Sequence, residues 1–323
     1  MELVISKPGT KVRMRDGRLI LGRDKEVYIS YPINHIQTII CLSGVYITEP
    51  VQSYITKNDG AILYVTKTGK LKYIVQPLRS ILTVKTRMKQ YALNENCSVR
   101  LKLSKILVYS KIQNGQRFLA EKLGAYSGRL NRIRALRNRV KYAKTITQLR
   151  GIEGNAAREY FRQFRELIPS RFGFFYRQKR MKLDIINSGL DFLYSLLYHT
   201  SFTALSSVGL DPYLGFYHST AYGHAALSSD IMEPFRAQIA DRVMLKTLKD
   251  GAFKQFYDKN SSSAILTGDM IRLLMKYYTK RIHARQLVNG GGKSNFELII
   301  RDASNLSKYC REPGEGYRPW VRG

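Results

Sequence analysis

The apolar positions of the chain change their period once, near residue 80. Before that point they alternate or form short β-branched and aromatic runs, as strands do. Val12 and Met14 face Leu19 and Leu21 across Asp16-Gly17, a pair that accepts the positive φ of a two-residue hairpin turn. Ile39-Ile40 and Val45-Tyr46-Ile47 lie on either side of Gly44, and Ile62 to Val65 and Leu71 to Val75 bracket a Thr68-Gly69 turn. Beyond Pro77 the apolar residues recur every three or four positions, the spacing of one helical face. Val99, Leu103, Ile106 and Leu107 show it, then Leu130, Ile133, Leu136 and Val140, then Ala156, Ala157, Tyr160, Phe161 and Phe164. Further helices are expected over 184–199, 229–249, 268–285 with Thr267 as N-cap, and about 295–309 after a flexible joint at Gly290 to Gly292. The expected class is α+β: a small N-terminal β domain over residues 1–85, then a larger all-α domain over 86–323 that holds the active site.

Composition adds a partner to this outline. The 323 residues are 44% hydrophobic, enough to bury a core. Lys and Arg number 54 against 24 Asp and Glu, a formal net charge of +30. Residues 81–152 hold 17 of the basic residues and only two acids, Glu95 and Glu121, so half of the excess lies there. So one-signed a block repels itself unless a polyanion neutralises it, and nucleic acid is the expected partner. No run of 18 apolar residues exists, so neither a spanning helix nor a membrane partner is expected. The start, MELVISKPGT, lacks the pattern of a signal peptide. Cys41, Cys97 and Cys310 are too few and too dispersed for a disulfide framework or a cysteine zinc site, which suits a reducing cytoplasm.

The chemistry is narrowed by what is missing. No phosphate-binding G-x-x-x-x-G-K-[ST] loop, dinucleotide fingerprint, G-x-S-x-G elbow or H-E-x-x-H pair occurs. His218 and His224 precede an acidic stretch, Ser228-Ser229-Asp230-Ile231-Met232-Glu233-Pro234. Two readings of it stand. Asp230 at an N-cap with Glu233 three residues on is a capping-box variant. Alternatively histidine and carboxylate from this stretch, with a carboxylate from elsewhere in the fold, offer the imidazole and hard oxygens that suit Mn²⁺ or Mg²⁺. Glu153, expected in the first turn of a helix, is the natural candidate for that distant carboxylate, although a carboxylate there ordinarily serves only the helix dipole. Gly151 and Gly154 weaken that helix but would let other groups approach the carboxylate.

Three ordered stretches resemble the motifs of one family. Gly151-Ile152-Glu153-Gly154-Asn155-Ala156-Ala157-Arg158-Glu159-Tyr160-Phe161 is similar to G-x-E-G-x-A-A-R-x-Y-F. Gly209-Leu210-Asp211-Pro212-Tyr213-Leu214-Gly215-Phe216-Tyr217-His218 is similar to G-L-D-P-x-x-G-F-x-H. Leu227 to Arg236 is similar to L-x-x-D-x-x-E-x-F-R. These are signatures of the CRISPR-associated integrases, the "Cas-one" proteins of spacer acquisition. Asp184 and Asn187 fit the family's D-x-x-N helix, Lys111 to Leu119 resembles its first helical segment, and Gly44 to Thr48 is a weaker match in the strand region.

The resemblance implies a metal-dependent integrase that joins the 3′-hydroxyl ends of a spacer duplex to the CRISPR repeat array by transesterification. It implies Glu153, His218 and Glu233 as ligands of Mn²⁺ or Mg²⁺, with Asp230 as an acidic neighbour in the catalytic group. Tyr198 falls where some members carry an active-site tyrosine, and packing beside Tyr194 is the alternative. DNA phosphates would be met by Arg129, Arg132, Arg134, Arg137, Arg139, Lys141 and Lys144, with Arg158 and Arg236 from the motifs. The implied assembly is a homodimer formed through the β domain, with a small "Cas-two" partner protein. A metal-dependent endonuclease of branched DNA and a non-catalytic DNA-binding scaffold are the alternative functions.

Overall fold

The computed structural model describes residues 2–23, 26–42, 44–58, 60–66, 71–77, 81–124, 128–178, 184–259, 264–288 and 291–322. The N-terminal region contains β1 (Glu2–Ile5), β2 (Lys11–Arg15), β3 (Arg18–Arg23), β4 (Glu26–Pro32), β5 (Thr38–Leu42) and β6 (Tyr46–Ile47). Helix α1 (Glu49–Lys57) and strands β7 (Ala61–Val65) and β8 (Leu71–Val75) complete it. The Asp16-Gly17 turn forms as expected: both residues have positive φ, 48° and 68°, and Arg15 pairs with Arg18. The Thr68-Gly69 turn lies outside the described residues, but the antiparallel pairing of β7 with β8 on either side of it is seen.

Two four-stranded sheets result, in the orders β4-β3-β2-β6 and β1-β5-β7-β8. In the second, β1, β5 and β7 run parallel and β5 is buried on both faces, as parallel strands usually are. Its alternating side chains belong to different cores. Ile39, Cys41 and Ile62 pack with Val12, Leu19, Val51 and Ile55, whereas Ile40, Leu42, Leu63 and Val65 pack with the helices. At about 1.5–3 kcal/mol per buried aliphatic side chain, this wall binds the strand and helical regions together.

The helical region opens with α2 (Ile81–Glu95), α3 (Cys97–Leu123), α4 (Asn131–Arg139), α5 (Ile146–Arg165) and α6 (Ile185–Ser207). It continues with α7 (Ala226–Met232), α8 (Arg242–Leu248), α9 (Gly251–Lys259) and α10 (Gly268–Ile282). The side chains of Asn96, Thr145, Asp184 and Thr267 cap α3, α5, α6 and α10 by accepting from first-turn amides. Strands β9 (Arg285–Val288) and β10 (Gly291–Ser294) then form a hairpin before α11 (Asn295–Arg311), which starts in a Ser294–Glu297 capping box. This hairpin replaces the expected glycine joint, in a region that is otherwise helical as expected. Gly291 and Gly292 are paired strand residues, and Gly290 lies outside the described set.

The single helix expected over 229–249 is broken. After α7 come a 3-10 turn, Glu233–Phe235, and a π-helical turn, Ala237–Asp241, before α8 resumes. Pro234 explains the break, since its ring blocks the carbonyl four residues back and it donates no amide hydrogen. Turns of this kind are frequent at functional sites, and this one carries Glu233 out of helical register.

Candidate metal centre and nucleic-acid surface

Asp230 organises the site. It sits inside α7, five residues in, not at its N-terminus, so the capping-box reading of Asp230 and Glu233 fails. The helix starts earlier, with Ala225 at the N-cap position and no side-chain cap, and the Ala225 amide donates to the Tyr198 hydroxyl at 2.6 Å. Asp230 is wholly buried, and its two oxygens accept four N–H groups. Phe216 N at 2.6 Å and Tyr217 N at 2.9 Å donate to Oδ2. His218 N at 2.9 Å and His218 Nδ1 at 2.7 Å donate to Oδ1. The loop before His218 is thereby wrapped around one carboxylate. Gly215 makes this possible, because a Cβ there would come within 2.9 Å of both Ala226 and Asp230 Oδ2.

The bond to Asp230 also sets the histidine tautomer. A carboxylate only accepts, so Nδ1 carries the hydrogen and Nε2 keeps its lone pair in the neutral ring. Nε2 lies 4.0 Å from Glu233 Oε1. This carboxylate–histidine arrangement is the one that commonly supports a metal-ligating imidazole.

Glu153 reaches the same place from α5. It is the eighth residue of that helix, not in its first turn as expected. The helix starts early because Thr145 caps it. A Cβ at Gly151 or Gly154 would meet nothing within 4 Å, so open space flanks the carboxylate. Between Glu153 and Glu233 stands an ammonium. Lys111 Nζ, from α3, donates to Glu153 Oε1 and lies 2.8 Å from Glu233 Oε2. Arg236 NH1 donates to both oxygens of Glu233, at 2.9 and 3.1 Å. Burial opposes ionisation of both glutamates. The Arg236 and Lys111 charges override it at Glu233, and Lys111 does so at Glu153, so both carboxyls are held below the usual range.

Among the described residues no three His, Cys, Asp or Glu side chains already close on one point as a cage. The donors nonetheless fit a divalent ion. Two carboxylates, Glu153 and Glu233, meet where the protein itself places a cation, Lys111, and the imidazole nitrogen with a free lone pair, His218 Nε2, lies 4.0 Å from the other oxygen of Glu233. Hard oxygen with one nitrogen is the donor set of Mn²⁺ or Mg²⁺ rather than of a thiophilic metal.

The supporting residues were mostly not legible in the sequence. Arg236, expected on a DNA surface, is turned inward, with its guanidinium 4.0 Å over the Tyr194 ring. Tyr194 and Tyr160 both donate to the buried Asp241, each at 2.6 Å. Tyr198 does not share that cluster; besides holding Ala225 it stacks on His224, 5.8 Å between ring centres. Asn114 Nδ2 donates to Pro234 O at 2.8 Å and to Trp320 O at 3.2 Å, and Trp320 stacks on Phe235. A signal for Lys111 and Asn114 existed. They stand three apart on α3, so they interrupt the face that should be apolar.

The basic block is a separate surface. Arg132, Arg134, Arg139, Lys141 and Lys144 are exposed on and just after α4, while Leu130, Ile133 and Val140 anchor it from beneath. Arg137 is half-buried and donates to Gln116 Oε1 at 3.0 Å, so it leaves this group. The Arg129 side chain lies outside the described residues. Arg158 is exposed, and it lines a cavity of about 1020 Å³ that also reaches Lys111, Glu153 and Glu233. Glu121, one of the block's two acids, is taken up by Arg242 at 2.5 Å and Arg322 at 2.6 Å.

Known proteins resemble this chain in sequence and in fold. The sequence profile described as "CRISPR associated protein Cas1" matches residues 3–280. The CRISPR-associated endonuclease Cas1 3 of Thermus thermophilus is 33% identical over 251 residues, 77% of this chain and 72% of its own. Among solved structures, a casposase bound to integration product has a TM-score of 0.79 at 21% identity, covering 98% of this chain and 92% of that one. A Cas6-RT-Cas1–Cas2 complex has a TM-score of 0.79 at 21% identity, covering all of this chain and 36% of the larger one.

Proposed function

The chain belongs to the CRISPR-associated Cas1 family, and on that premise we propose that it is a metal-dependent DNA integrase of spacer acquisition. A 3′-hydroxyl of the incoming duplex attacks a phosphodiester of the repeat array. The attacking oxygen loses its proton, the new P–O bond forms, and the 3′-oxygen of the cut strand leaves and is protonated. One bond of the same type replaces another, so no nucleotide cofactor is required. The fold shared with a casposase bound to integration product supports joining rather than cutting.

Glu153, His218 and Glu233 would hold the ion, Mn²⁺ or Mg²⁺. The ion would supply Lewis-acid stabilisation of charge growing on the phosphoryl group. The protein's own residues supply position. Asp230 fixes the His218 ring through Nδ1 and ties the preceding loop with three amides. Arg236 fixes Glu233 by donating from one nitrogen to both of its oxygens. The α4 surface and Arg158 would grip phosphates without reading bases, as an enzyme that accepts many spacer sequences requires. A homodimer with a Cas2-type partner would present two such sites; the shared fold with a Cas1–Cas2 assembly supports that arrangement.

The observation that carries the reading is the meeting of Glu153 and Glu233 at one cation, Lys111, with His218 Nε2 4.0 Å from Glu233. The test is strand joining of labelled duplex into a supercoiled repeat-array plasmid, with the partner and Mn²⁺. Glu153→Ala and His218→Ala should each cost at least about a hundredfold, since such an ion contributes several kcal/mol to the transition state. Native-like joining by either variant would refute the ligand set. The relatives' name, endonuclease, favours a second reading in which water replaces the 3′-hydroxyl. Cut products without joined ones would select it.

A further inference from the structure

Among the described residues, Lys111 is the only ammonium paired with Glu153 and Glu233 together. Its side chain is 20% exposed, as is that of Glu153, and Glu233 is 8% exposed. Two ionised carboxylates so close in a shielded place repel strongly, and an unpaired buried charge is costly. Lys111 and Arg236 bring the pair to electrical balance. Arg236 achieves this from the side, held between Glu233 and the Tyr194 ring. Lys111 achieves it from between, using the carboxylate oxygens themselves.

A divalent ion ligated by Glu153 and Glu233 needs those same oxygens. It also adds two charges to a balanced group, and an ammonium beside it would be strongly repelled even in a partly screened site. Arg236 is packed against Tyr194 and cannot easily leave. Lys111 has a flexible four-carbon stem and faces the cavity of about 1020 Å³ that also reaches Glu153 and Arg158.

We infer that Lys111 is a built-in counter-cation that keeps Glu153 and Glu233 together in the metal-free protein and must be displaced into the cavity for a divalent ion to bind. This rests on the metal reading of the site given above. Metal uptake is then an exchange of one cation for another, and its affinity is set partly by how tightly Lys111 is held.

Mn²⁺ binding to the full chain without DNA, by calorimetry and by Mn²⁺ electron paramagnetic resonance, tests it with native protein and Lys111→Met. The variant has similar bulk and no charge. It should bind Mn²⁺ at least tenfold more tightly, and its metal-free melting temperature should fall while Mn²⁺ restores more of it than in the native protein. Equal or weaker binding by Lys111→Met overturns the inference. A measurement on the native protein covers the case in which that variant does not fold. Acylation of lysines by a water-soluble ester, mapped by mass spectrometry, should find Lys111 protected without Mn²⁺ and modified with it. Unchanged labelling on Mn²⁺ addition also overturns the inference. Native protein that takes up no Mn²⁺ defeats the metal reading and this inference together. Native uptake without tighter binding by the variant, or without unmasking of Lys111, defeats the inference alone.

Discussion

Two regions of the molecule gather cations and use them in opposite ways. On α4 and the turn after it, Arg132, Arg134, Arg139, Lys141 and Lys144 stand in solvent, with no acid among them. In the candidate metal centre, Lys111 and Arg236 are nearly buried and are committed to Glu153 and Glu233. The first region has field and no acid of its own to offset it; the second pairs each cation with a carboxylate. A net charge sums both and hides the distinction. Only the first can draw in a polyanion, and only the second can hold carboxylates ionised out of water.

The largest effect expected from this contrast is on stability. Arg236→Met removes a guanidinium that donates twice to Glu233, and breaking such a buried pair from one side costs ~3–5 kcal/mol. Arg134→Gln, on the exposed face, should stay within about 0.5 kcal/mol. Urea unfolding of both variants measures the difference. Similar midpoints would mean that Arg236 is not structurally committed to Glu233 and that the contrast is false.

A third buried carboxylate sharpens the point, because there burial outweighs both its hydrogen bond and the charge of the N-terminal ammonium. Glu2 on β1 is enclosed against α6, where Thr200 Oγ1 donates to it at 2.8 Å. Burial pushes its carboxyl from 4.5 up to about 7, the opposite of Glu233. Below pH 4.5 both folded and unfolded chains hold the proton. Between 4.5 and 7 the folded chain keeps a proton that the unfolded chain has lost, so stability falls as pH rises through that window. The loss is ~3 kcal/mol by pH 7, at 1.36 kcal/mol per pH unit. Asp302, also raised to about 7 by burial, contributes with the same sign. The test is therefore the difference in pH slope between native protein and Glu2→Gln. An equal slope would show that Glu2 does not titrate with folding.

How much of this was legible in the sequence depends on whether the signal was local. The hairpin at Asp16-Gly17, the cap at Thr267, and the apolar stripes of α4 and α5 are local, and the structure follows them. The motifs named Glu153, His218, Asp230 and Glu233 because residue type and order carry the resemblance. What they could not carry is which groups meet from different elements. Lys111 is one lysine among 54 basic residues until α3 is laid against α5. Arg236 reads as a surface arginine until Pro234 breaks the helix and turns it toward Tyr194. The sharing of one sheet by two cores was hidden for a similar reason: a strand buried on both faces has no alternation to read.

Within the site, Asp230→Asn separates position from charge. An amide keeps one acceptor oxygen but puts an NH₂ against N–H groups that the other oxygen now receives. Orientation of His218 should loosen, and Mn²⁺ affinity should fall ~10–100-fold, as for outer partners of metal ligands. Titration with Mn²⁺ checks this. An unchanged affinity would mean that the bond from His218 to Asp230 does not prepare the ring for a metal, and the two regions would then differ in burial alone.

The smallest effect expected is on the exposed side, spread over several weak interactions. Replacing Arg132, Arg134 and Arg139 together by Gln should weaken duplex DNA binding about tenfold at moderate salt. It should also lower the slope of log affinity against log salt by ~3, near 0.9 for each phosphate that is no longer neutralised. Mn²⁺ affinity should not move, because none of the three takes part in the ion pairs of Glu153 or Glu233. The slope is the informative quantity, since it counts neutralised phosphates whereas affinity mixes them with every other change. A slope left intact would remove the α4 face from the DNA path. The gripping charge would then have to come from the wall of the cavity beside the site, where Arg158, Arg162 and Arg165 line the same space as Glu153. In that case field and chemistry would share one region after all.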